Sequence, residues 1–218
     1  MKNGKKHEYY GQFDIFSGLS PHMMDDMLLC LNARQISCGR DYPVLMAGDP
    51  AGTAGIVISG KVRIITEDYY GNRSITSQVE AGEMFAEVFA CSDISIMPVS
   101  VFSAGDSEIL LIDLKNLRTC KSEGADLVLS NLLRIISAKT ILLNSKISIL
   151  SKRSTREKLL SYLSAQAKQA GSSRFTIPFN RQELADFLCV DRSAMSAELG
   201  RMARDGLIRY KKEKFELL

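Results

Sequence analysis

Residues 180–209 restrict the possible folds of this chain most strongly, because they predict two short helices separated by a tight break. Asn180 and Glu183 have the spacing of a capping box, and apolar residues then recur at helical intervals. Asp191 is a good N-cap for a second helix, predicted from about residue 192 to residue 205. Taken alone, the stretch is either a helix-turn-helix or an ordinary helical hairpin with solvated charges.

The second predicted helix has two faces of different character. Met195, Leu199 and Met202 lie on one stripe, which is typical of a helix side packed against a core. The other face carries Arg192, Ser193, Ser196, Ala197 and Arg201. In a helix-turn-helix, a polar and Arg-bearing second helix enters the major groove of DNA.

The charge of the chain is unevenly distributed. Residues 1–150 carry a net charge of −3, whereas residues 151–218 carry +6 and include the two-helix stretch. This asymmetry indicates a neutral-to-acidic module joined to a small polyanion-binding module. No apolar run approaches the ~20 residues of a membrane span, and the N-terminus lacks the apolar core of a secretory signal. We therefore expect a cytoplasmic protein without a membrane partner.

The middle of the first module is rich in β-forming residues. Residues 8–34 indicate helices, one of them beginning at Ser20-Pro21, and from Ile36 to about Asp113 short β-rich runs alternate with Gly or Asp turns. These runs are IVISG, KVRIIT, SITSQV, PVSVFSA and EILLID. Many short strands spaced about ten residues apart predict an antiparallel sandwich or roll.

A heptad seam follows the β-rich region. It consists of Leu129, Leu133, Ile136, Thr140, Leu143, Ile147 and Leu150. A stripe of this kind either packs on its own domain or pairs with a second copy of the helix. We favour the homodimer, because a long regular seam packs well against its own copy.

The remaining segments complete a winged helix. Ser154 and Glu157 form another capping-box spacing for a helix to about Ala170, and a strand is predicted at 175–178. After the two-helix stretch, residues 207–218 predict a β-hairpin with a charged turn at 211–214. The predicted fold class is α+β, with a β-roll and N-terminal helices in 1–124, a dimerisation helix in 125–152 and a winged helix-turn-helix in 153–218.

Two segments carry a resemblance to a known family. IPFNRQELADFLCVDRSAMSAELGRMARDGLI (177–208) resembles the DNA-binding motif of the cyclic-AMP-receptor/fumarate-nitrate-reductase (CRP/FNR) family, especially of members from anaerobic Gram-positive bacteria. GEMFAE (82–87) resembles that family's Gly-Glu-x-x-Gly-Glu segment, with Ala86 in place of the second Gly. The resemblance covers roughly 10–218. It implies a jelly roll like a cyclic-nucleotide-binding domain and a homodimeric transcription regulator that binds a palindromic DNA operator and RNA polymerase.

The resemblance also assigns expected DNA contacts. Arg192 matches the family's Arg near the start of the recognition helix, where an Arg can donate two hydrogen bonds to guanine O6 and N7. Ser193 and Ser196 would reach base edges or phosphates. Ala197 departs from the second Arg of many relatives, which removes one guanine contact and makes a thymine-methyl contact possible. Further expected DNA contacts are Thr176, Arg181, Gln182, Arg201 and Lys212.

The expected effector pocket comes from the same resemblance. It comprises Gly82, Glu83, Phe85, Glu87, Met97, Ser100 and Thr140. The phosphate-binding Arg of cyclic-AMP-binding relatives is missing from the matching stretch 97–100, and no Lys or Arg occurs from Ser74 to Asp113. The adenine-contacting Thr-Ser pair is replaced by Ile141 and Leu142. A buried phosphate without a cation is poorly compensated, so cyclic AMP is not the expected effector.

The effector that the sequence still allows is a small uncharged or apolar ligand bound in the roll. The residues that would suit such a ligand also suit an ordinary hydrophobic core. They are Phe85, Ile94, Ile96 and Met97. The carboxylates of Glu83 and Glu87 have a second interpretation, in which they only satisfy the backbone of their turn. The resemblance to the family implies that effector binding favours one of two arrangements of the paired DNA-binding modules. Thr140, polar and in the middle of the seam, is a hypothetical point at which these arrangements differ.

The five cysteines are Cys30, Cys38, Cys91, Cys120 and Cys189. Their odd number and wide spacing predict reduced and mostly buried thiols. Cys91 is the best candidate for a redox switch, although a small buried side chain is the more common role for such a residue. No cysteine cluster suits an iron-sulfur centre, and His7 and His22 are weak candidates for haem. No cofactor is predicted.

Two other classes of function are weighed against DNA binding. An enzyme is not expected, because the sequence shows neither a nucleophile elbow nor metal-spaced ligands nor a Gly-rich phosphate loop. A ligand-binding scaffold whose winged helix contacts protein is the remaining alternative.

Overall fold

The computed structural model describes residues 9–71 and 73–218, which divide into two compact units with the boundary between Ala138 and Lys139. In chain order the elements are a 3-10 helix (Asp14–Phe16), α1 (Pro21–Cys30), β1 (Arg34–Cys38), β2 (Pro43–Leu45), β3 (Thr53–Ser59), β4 (Lys61–Glu67), β5 (Arg73–Glu80), β6 (Met84–Phe85), α2 (Glu87–Cys91), β7 (Ser100–Ser103), β8 (Ser107–Asp113), a second 3-10 helix (Leu114–Thr119), α3 (Ala125–Leu150), α4 (Thr155–Ala170), β9 (Arg174–Thr176), α5 (Arg181–Leu188), α6 (Arg192–Arg204), β10 (Ile208–Lys211) and β11 (Lys214–Leu217).

The first unit contains two antiparallel four-stranded sheets. Their strand orders are β1-β8-β3-β6 and β2-β7-β4-β5. Successive side chains of a strand point to opposite faces, and the central strands β3 and β8 are buried on both. Ile56 and Leu110 therefore pack in one hydrophobic cluster, whereas Val57 and Leu111 pack in another. This arrangement explains why both strands read as continuous apolar runs.

The cluster that contains Ile56 is closed by helical segments. Ser20 caps α1 by accepting a hydrogen bond from the backbone N–H of Met23 (3.3 Å), with a proline at the first helical position as predicted. The buried side-chain amide of Asn131, on α3, donates to the carbonyl oxygens of Ile15 (3.2 Å) and Ser17 (2.9 Å). These bonds tie the segment before α1 to the long helix.

The long helix α3 carries apolar residues of two kinds, buried and exposed. Val128 and Leu132 are buried in the core of the first unit. The seam residues one position further along, Leu129 and Leu133, are 46% and 59% exposed. Most of the seam is therefore turned away from the chain's own core. Within the seam, only Ile136 and Leu150 are half-buried.

The second unit has a single core and a three-stranded sheet of order β10-β11-β9. Helix α4 begins with the predicted capping box, in which Ser154 and Glu157 exchange side-chain and backbone hydrogen bonds (3.2 and 3.1 Å). The predicted turn of the hairpin lies at the predicted place. Lys211 pairs with Lys214 across the turn, and Lys212, one of its two central residues, has the positive φ (53°) that a two-residue hairpin turn favours.

The α+β fold class, with its roll, long helix and winged helix-turn-helix, is confirmed. The division at 124 and 152 stays a prediction, since residues of α3 belong to both compact units. Within the described ranges, no helix combines the length and the apolar character that crossing a membrane requires.

Candidate nucleic-acid interface

The two helices of the predicted motif are fixed by polar caps. The Asn180 side chain accepts hydrogen bonds from the N–H groups of Gln182 (2.9 Å) and Glu183 (3.0 Å), and the Glu183 carboxylate accepts from the N–H of Asn180 (2.8 Å). Helix α5 ends at Leu188, and the next residue, Cys189, has a φ of 51°, which lies in the left-handed region. Such a residue turns the chain sharply, so α6 begins after a short break.

Asp191 starts α6. Its carboxylate accepts hydrogen bonds from the Ser193 hydroxyl (2.5 Å) and from the N–H of Ala194 (2.8 Å), which lowers the pKa of Asp191. The negative charge also compensates the positive end of the helix dipole. The Ser193 hydroxyl is thus oriented by the cap, while its residue stays exposed.

Helix α6 is positioned by its buried stripe. Met195, Leu199 and Met202 have no exposed surface, as predicted from their spacing. The four residues expected to read bases, Arg192, Ser193, Ser196 and Ala197, are all exposed. They lie at positions that share one helix face. The fold therefore holds the predicted reading face outward, and Arg192 makes no ion pair with any described residue.

An ion network braces α6 against α4. Glu198, largely buried, accepts hydrogen bonds from Arg156 Nε (2.6 Å) and from Arg201 Nη2 (2.7 Å), and Arg156 also pairs with Asp205. The bond from Arg156 lowers the pKa of Glu198, and the bonds to Glu198 and Asp205 raise the pKa of Arg156. Arg201, an expected DNA contact, is therefore held by a carboxylate of its own helix.

Arg156 is a positioning residue that the sequence analysis missed. Its partners lie 42 and 49 residues away, so no local pattern indicated the pairs. Because Glu198 and Asp205 are both on or next to α6, Arg156 helps to set the orientation of the recognition helix.

The wing is attached to α5 by Arg181. Its guanidinium lies over the rings of Tyr210 (4.9 Å) and Phe215 (5.4 Å) and donates to the carbonyl oxygen of Lys212 (3.1 Å). Burial lowers the pKa of Arg181. These contacts give Arg181 a structural role, and its expected phosphate contact stays a prediction.

The other expected phosphate contacts lie on exposed positions. Gln182 donates its side-chain amide to Asp186 (2.8 Å), Thr176 ends β9 opposite Lys214, and Lys212 occupies the wing turn. None of these positions is covered by the described part of the protein.

A shallow concavity on the wing is lined by cationic side chains that were not among the expected DNA contacts. It has a volume of about 500 Å³ and is lined in part by Arg174, Arg209, Lys211 and Lys214. The two arginines pair with Glu216 (2.8 and 3.7 Å), whereas the two lysines form no ion pair with any described residue. Both lysines flank the hairpin turn, at the end of β10 and the start of β11, and the sequence does not show that these positions border a concavity.

Most of the expected effector residues pack in the core of the roll or bond to its backbone. Phe85 and Met97 are buried in the cluster between the sheets. The Glu83 carboxylate accepts a hydrogen bond from the N–H of Glu80 (2.9 Å), and the Ser100 hydroxyl accepts from the N–H of Ala47 (3.0 Å). Glu83 therefore does satisfy the backbone of its own turn.

In segment 82–87, φ is positive at both positions where the family's Gly-Glu-x-x-Gly-Glu segment has a glycine. Gly82 has a φ of 91°, and Ala86 has a φ of 61° although it carries a side chain. The left-handed conformation at Ala86 is one that Gly adopts without strain. Glu87, at the start of α2, is buried, and Thr140 lies on α3 in the second compact unit.

The prediction of reduced and mostly buried thiols is wrong, because two of the five cysteines form a disulfide and two of the three free thiols are exposed. Cys30 and Cys120 form a disulfide, because the end of α1 lies 6.0 Å, measured between Cα atoms, from the residue after the second 3-10 helix. Cys38 is a buried thiol, whereas Cys91 and Cys189 are exposed. Burial and the nearby Glu87 raise the pKa of Cys91, which reduces its thiolate fraction and weakens the case for a redox switch there.

No group of three or more His, Cys, Asp or Glu suitable for a metal ion occurs within 9–71 and 73–218. His22 is exposed and pairs with Asp26 (3.3 Å), and His7 lies outside the described residues.

Each of the two modules matches a known domain family. Residues 36–123 match the cyclic nucleotide-binding domain, and residues 157–218 match the Crp-like helix-turn-helix domain. No curated protein sequence matches the chain significantly.

Several solved structures share the fold. The c-di-GMP-responsive global regulator CLP of Xanthomonas campestris is 20% identical, with a TM-score of 0.55 and coverage of 91% of this chain and 99% of its own. DNR of Pseudomonas aeruginosa is 21% identical, with a TM-score of 0.54 and coverage of 98% and 93%. A CooA mutant of Carboxydothermus hydrogenoformans is 19% identical, with a TM-score of 0.54 and coverage of 87% and 85%.

Proposed function

Because the chain belongs to the CRP/FNR family of DNA-binding transcription regulators, we propose that it is a homodimer that reads a palindromic operator and responds to a small effector other than cyclic AMP. The observation that carries this proposal is the exposed face of α6, held outward by a buried stripe and a capped N-terminus. The family relationship also argues against an enzymatic role.

Arg192 is the proposed base-reading residue. It is the first residue of α6, exposed and without an ion pair among the described residues, so its guanidinium is available for guanine O6 and N7. Ser193 and Ser196 would contact base edges or phosphates, and the Ala197 methyl would meet a thymine methyl. We assign phosphate contacts to Thr176, Arg181, Gln182, Arg201 and Lys212, together with the wing lysines Lys211 and Lys214.

The dimer is proposed to form through the seam of α3. Two copies related by a twofold axis would present two α6 helices to half-sites about one helical turn apart. The exposed seam residues Leu129, Leu133, Leu143 and Ile147 supply the apolar surface for this contact. RNA polymerase as a partner and a cytoplasmic location remain predictions from the family.

Cyclic AMP is a poor fit for the roll. No Lys or Arg occurs from Ser74 to Asp113, and the Glu83 carboxylate is engaged by its own turn. A cyclic phosphate would therefore meet carboxylates without a compensating guanidinium. Tight binding of cyclic AMP in calorimetry would contradict this part of the proposal.

The test begins with selection of binding sites from a random duplex library, followed by gel shifts at two salt concentrations. Specific binding is expected to survive a salt increase that abolishes non-specific binding. Arg192→Ala should weaken the selected site by about 1–3 kcal/mol and relax preference at one guanine. Lys212→Ala should weaken all sequences and reduce the salt slope by about 1.

Arg204→Ala is the matched control. Arg204 is an exposed arginine in the last turn of α6, so this variant removes the same charge from the far end of the same helix, about 18 Å along its axis from Arg192. If Arg192→Ala and Arg204→Ala reduce binding to all sequences equally, Arg192 does not read a base. If no duplex is selected, the protein-binding scaffold becomes the better explanation, although the polar face of α6 does not favour it.

A further inference from the structure

A cavity beside the start of α3 is unused by the function described so far. It has a volume of about 640 Å³, within the range of small-molecule sites, and lies entirely in the first compact unit. Its walls come from the end of α2 and the loop after it, from the second 3-10 helix, and from the first turns of α3. None of the seven residues of the expected effector pocket lines it, although Ile94, which the sequence analysis named for an apolar ligand, does.

The second 3-10 helix gives the cavity two different edges. Side chains three residues apart eclipse one another on a 3-10 helix. Leu114 and Leu117 therefore form one buried, apolar edge, whereas Lys115 and Arg118 form an exposed, cationic edge. All four residues line the cavity.

The two cations are available to a ligand. Neither Lys115 nor Arg118 forms an ion pair with any described residue. The stem of Lys115 is held against Gly52, where an added Cβ would lie 2.9 Å from Lys115 Cδ and Cε. Asp93, in the loop after α2, is the one carboxylate among the lining residues, so the charged side chains of the lining sum to a positive charge.

The rest of the cavity is suited to an apolar body. Ala90 and Leu132 are buried contributions from the core, and Ile94 and Leu129 add exposed apolar surface at the sides. Cys91 also lines the cavity, but its raised pKa makes it a poor nucleophile. An apolar floor beside two unpaired cations matches a molecule with one hydrophobic part and one negative group.

We propose that this cavity binds a small amphipathic organic acid, with its carboxylate at Lys115 and Arg118 and its apolar body against Leu117 and Leu132. This differs from the uncharged or apolar ligand suggested by the sequence, because the cationic edge appears only when the 3-10 helix is formed. Leu129 belongs both to the cavity wall and to the seam of α3. A ligand against Leu129 therefore contacts the dimerisation helix directly, and this regulatory step rests on the proposed function.

The test uses octanoate as the probe and 1-octanol as its uncharged counterpart. Calorimetry on the full-length protein is expected to show one octanoate site per chain, with octanol at least about tenfold weaker. The double variant Lys115→Gln/Arg118→Gln should reduce octanoate affinity to that of octanol. The matched control Lys61→Gln/Lys121→Gln removes the same charge from exposed positions outside the cavity and should leave octanoate affinity unchanged.

Three outcomes would overturn the site. They are no octanoate binding up to about 1 mM, equal affinity for octanol, or unchanged affinity in the Lys115→Gln/Arg118→Gln variant with a wild-type melting temperature. Gel shifts with and without octanoate separate the two proposals. If octanoate binds but no DNA sequence is selected, the site stands and the regulator function fails. If DNA is bound specifically and octanoate does not change its affinity, the effector role fails.

Discussion

Two adjacent leucines on α3 provide a direct test of the dimer seam. Leu143 belongs to the seam, whereas Leu142 lies about 100° further around the helix. Both are exposed in the single chain, at 60% for Leu143 and 69% for Leu142. Replacing either with Ala removes the same apolar side chain from the same helix, so the pair forms a matched comparison in which only Leu143 faces the predicted partner.

The expected effect follows from the exposed area of Leu143. Complete burial of a leucine side chain stabilises by about 1.5–3 kcal/mol. Since 60% of Leu143 is available for burial, each copy contributes about 1–2 kcal/mol, and the twofold axis doubles this to about 2–4 kcal/mol per dimer. Leu143→Ala should therefore raise the dimer dissociation constant by about 30- to 1000-fold.

Sedimentation equilibrium across a dilution series measures this constant for the wild type and both variants. Leu142→Ala should change it by less than about threefold, because its side chain stays outside the interface. Thermal unfolding monitored by circular dichroism at a fixed concentration confirms that each variant is folded. Gel shifts on the selected operator should weaken with Leu143→Ala, since each half-site requires its own α6.

The relative size of the two effects decides the outcome. If Leu142→Ala weakens the dimer more than Leu143→Ala does, the register assigned to the seam is wrong. If neither substitution changes the dissociation constant, α3 does not form the interface, and the single-chain exposure of the seam needs another explanation.

Three further predictions concern the interior of the two units. Tyr162→Phe should stabilise the second unit by about 1 kcal/mol, because the buried hydroxyl has no partner within the described residues. Burial raises the pKa of Tyr162 to about 12, so the wild type should lose stability between pH 10 and 12 while the Phe variant is spared, as measured by urea unfolding. Gly55→Ala should destabilise the roll by about 1–3 kcal/mol, since its Cβ would lie 2.0 Å from an aromatic ring, whereas Gly105→Ala has nothing within 4 Å and should be tolerated; equal melting temperatures would contradict this. Reducing the Cys30–Cys120 disulfide, which spans 90 residues, should lower stability by about 2–5 kcal/mol, and labelling of all five thiols under non-reducing conditions would refute the link.

The boundaries of the two-helix motif were predictable from the sequence, because the forces that set them are local. Asn180 with Glu183, and Asp191 with Ala194, make cap bonds between residues three positions apart. The buried stripe of α6 follows the helical period, so its members could be named before the fold was known. The seam of α3 was visible for the same reason.

The free face of α3 could be assigned only from the tertiary structure. Val128 and Leu132 are as apolar as the seam residues, yet the core of the first unit covers them and leaves Leu129 and Leu133 exposed. Periodicity alone shows that a helix has apolar faces, and the surrounding elements determine which face remains for a partner.

The sequence by itself thus determined the order of the modules, the helix caps and the exposed face of α6 that is predicted to read DNA. The tertiary structure decided the support of that face by Arg156, the attachment of the wing by Arg181, the disulfide, and the pairing of cationic and apolar edges around the cavity at α3. The physical reason is the number of residues that separate two contacting residues in the sequence. Caps and stripes join residues within a few positions, whereas Arg156 and Cys30 meet partners 42 and 90 residues away, which no local spacing can encode.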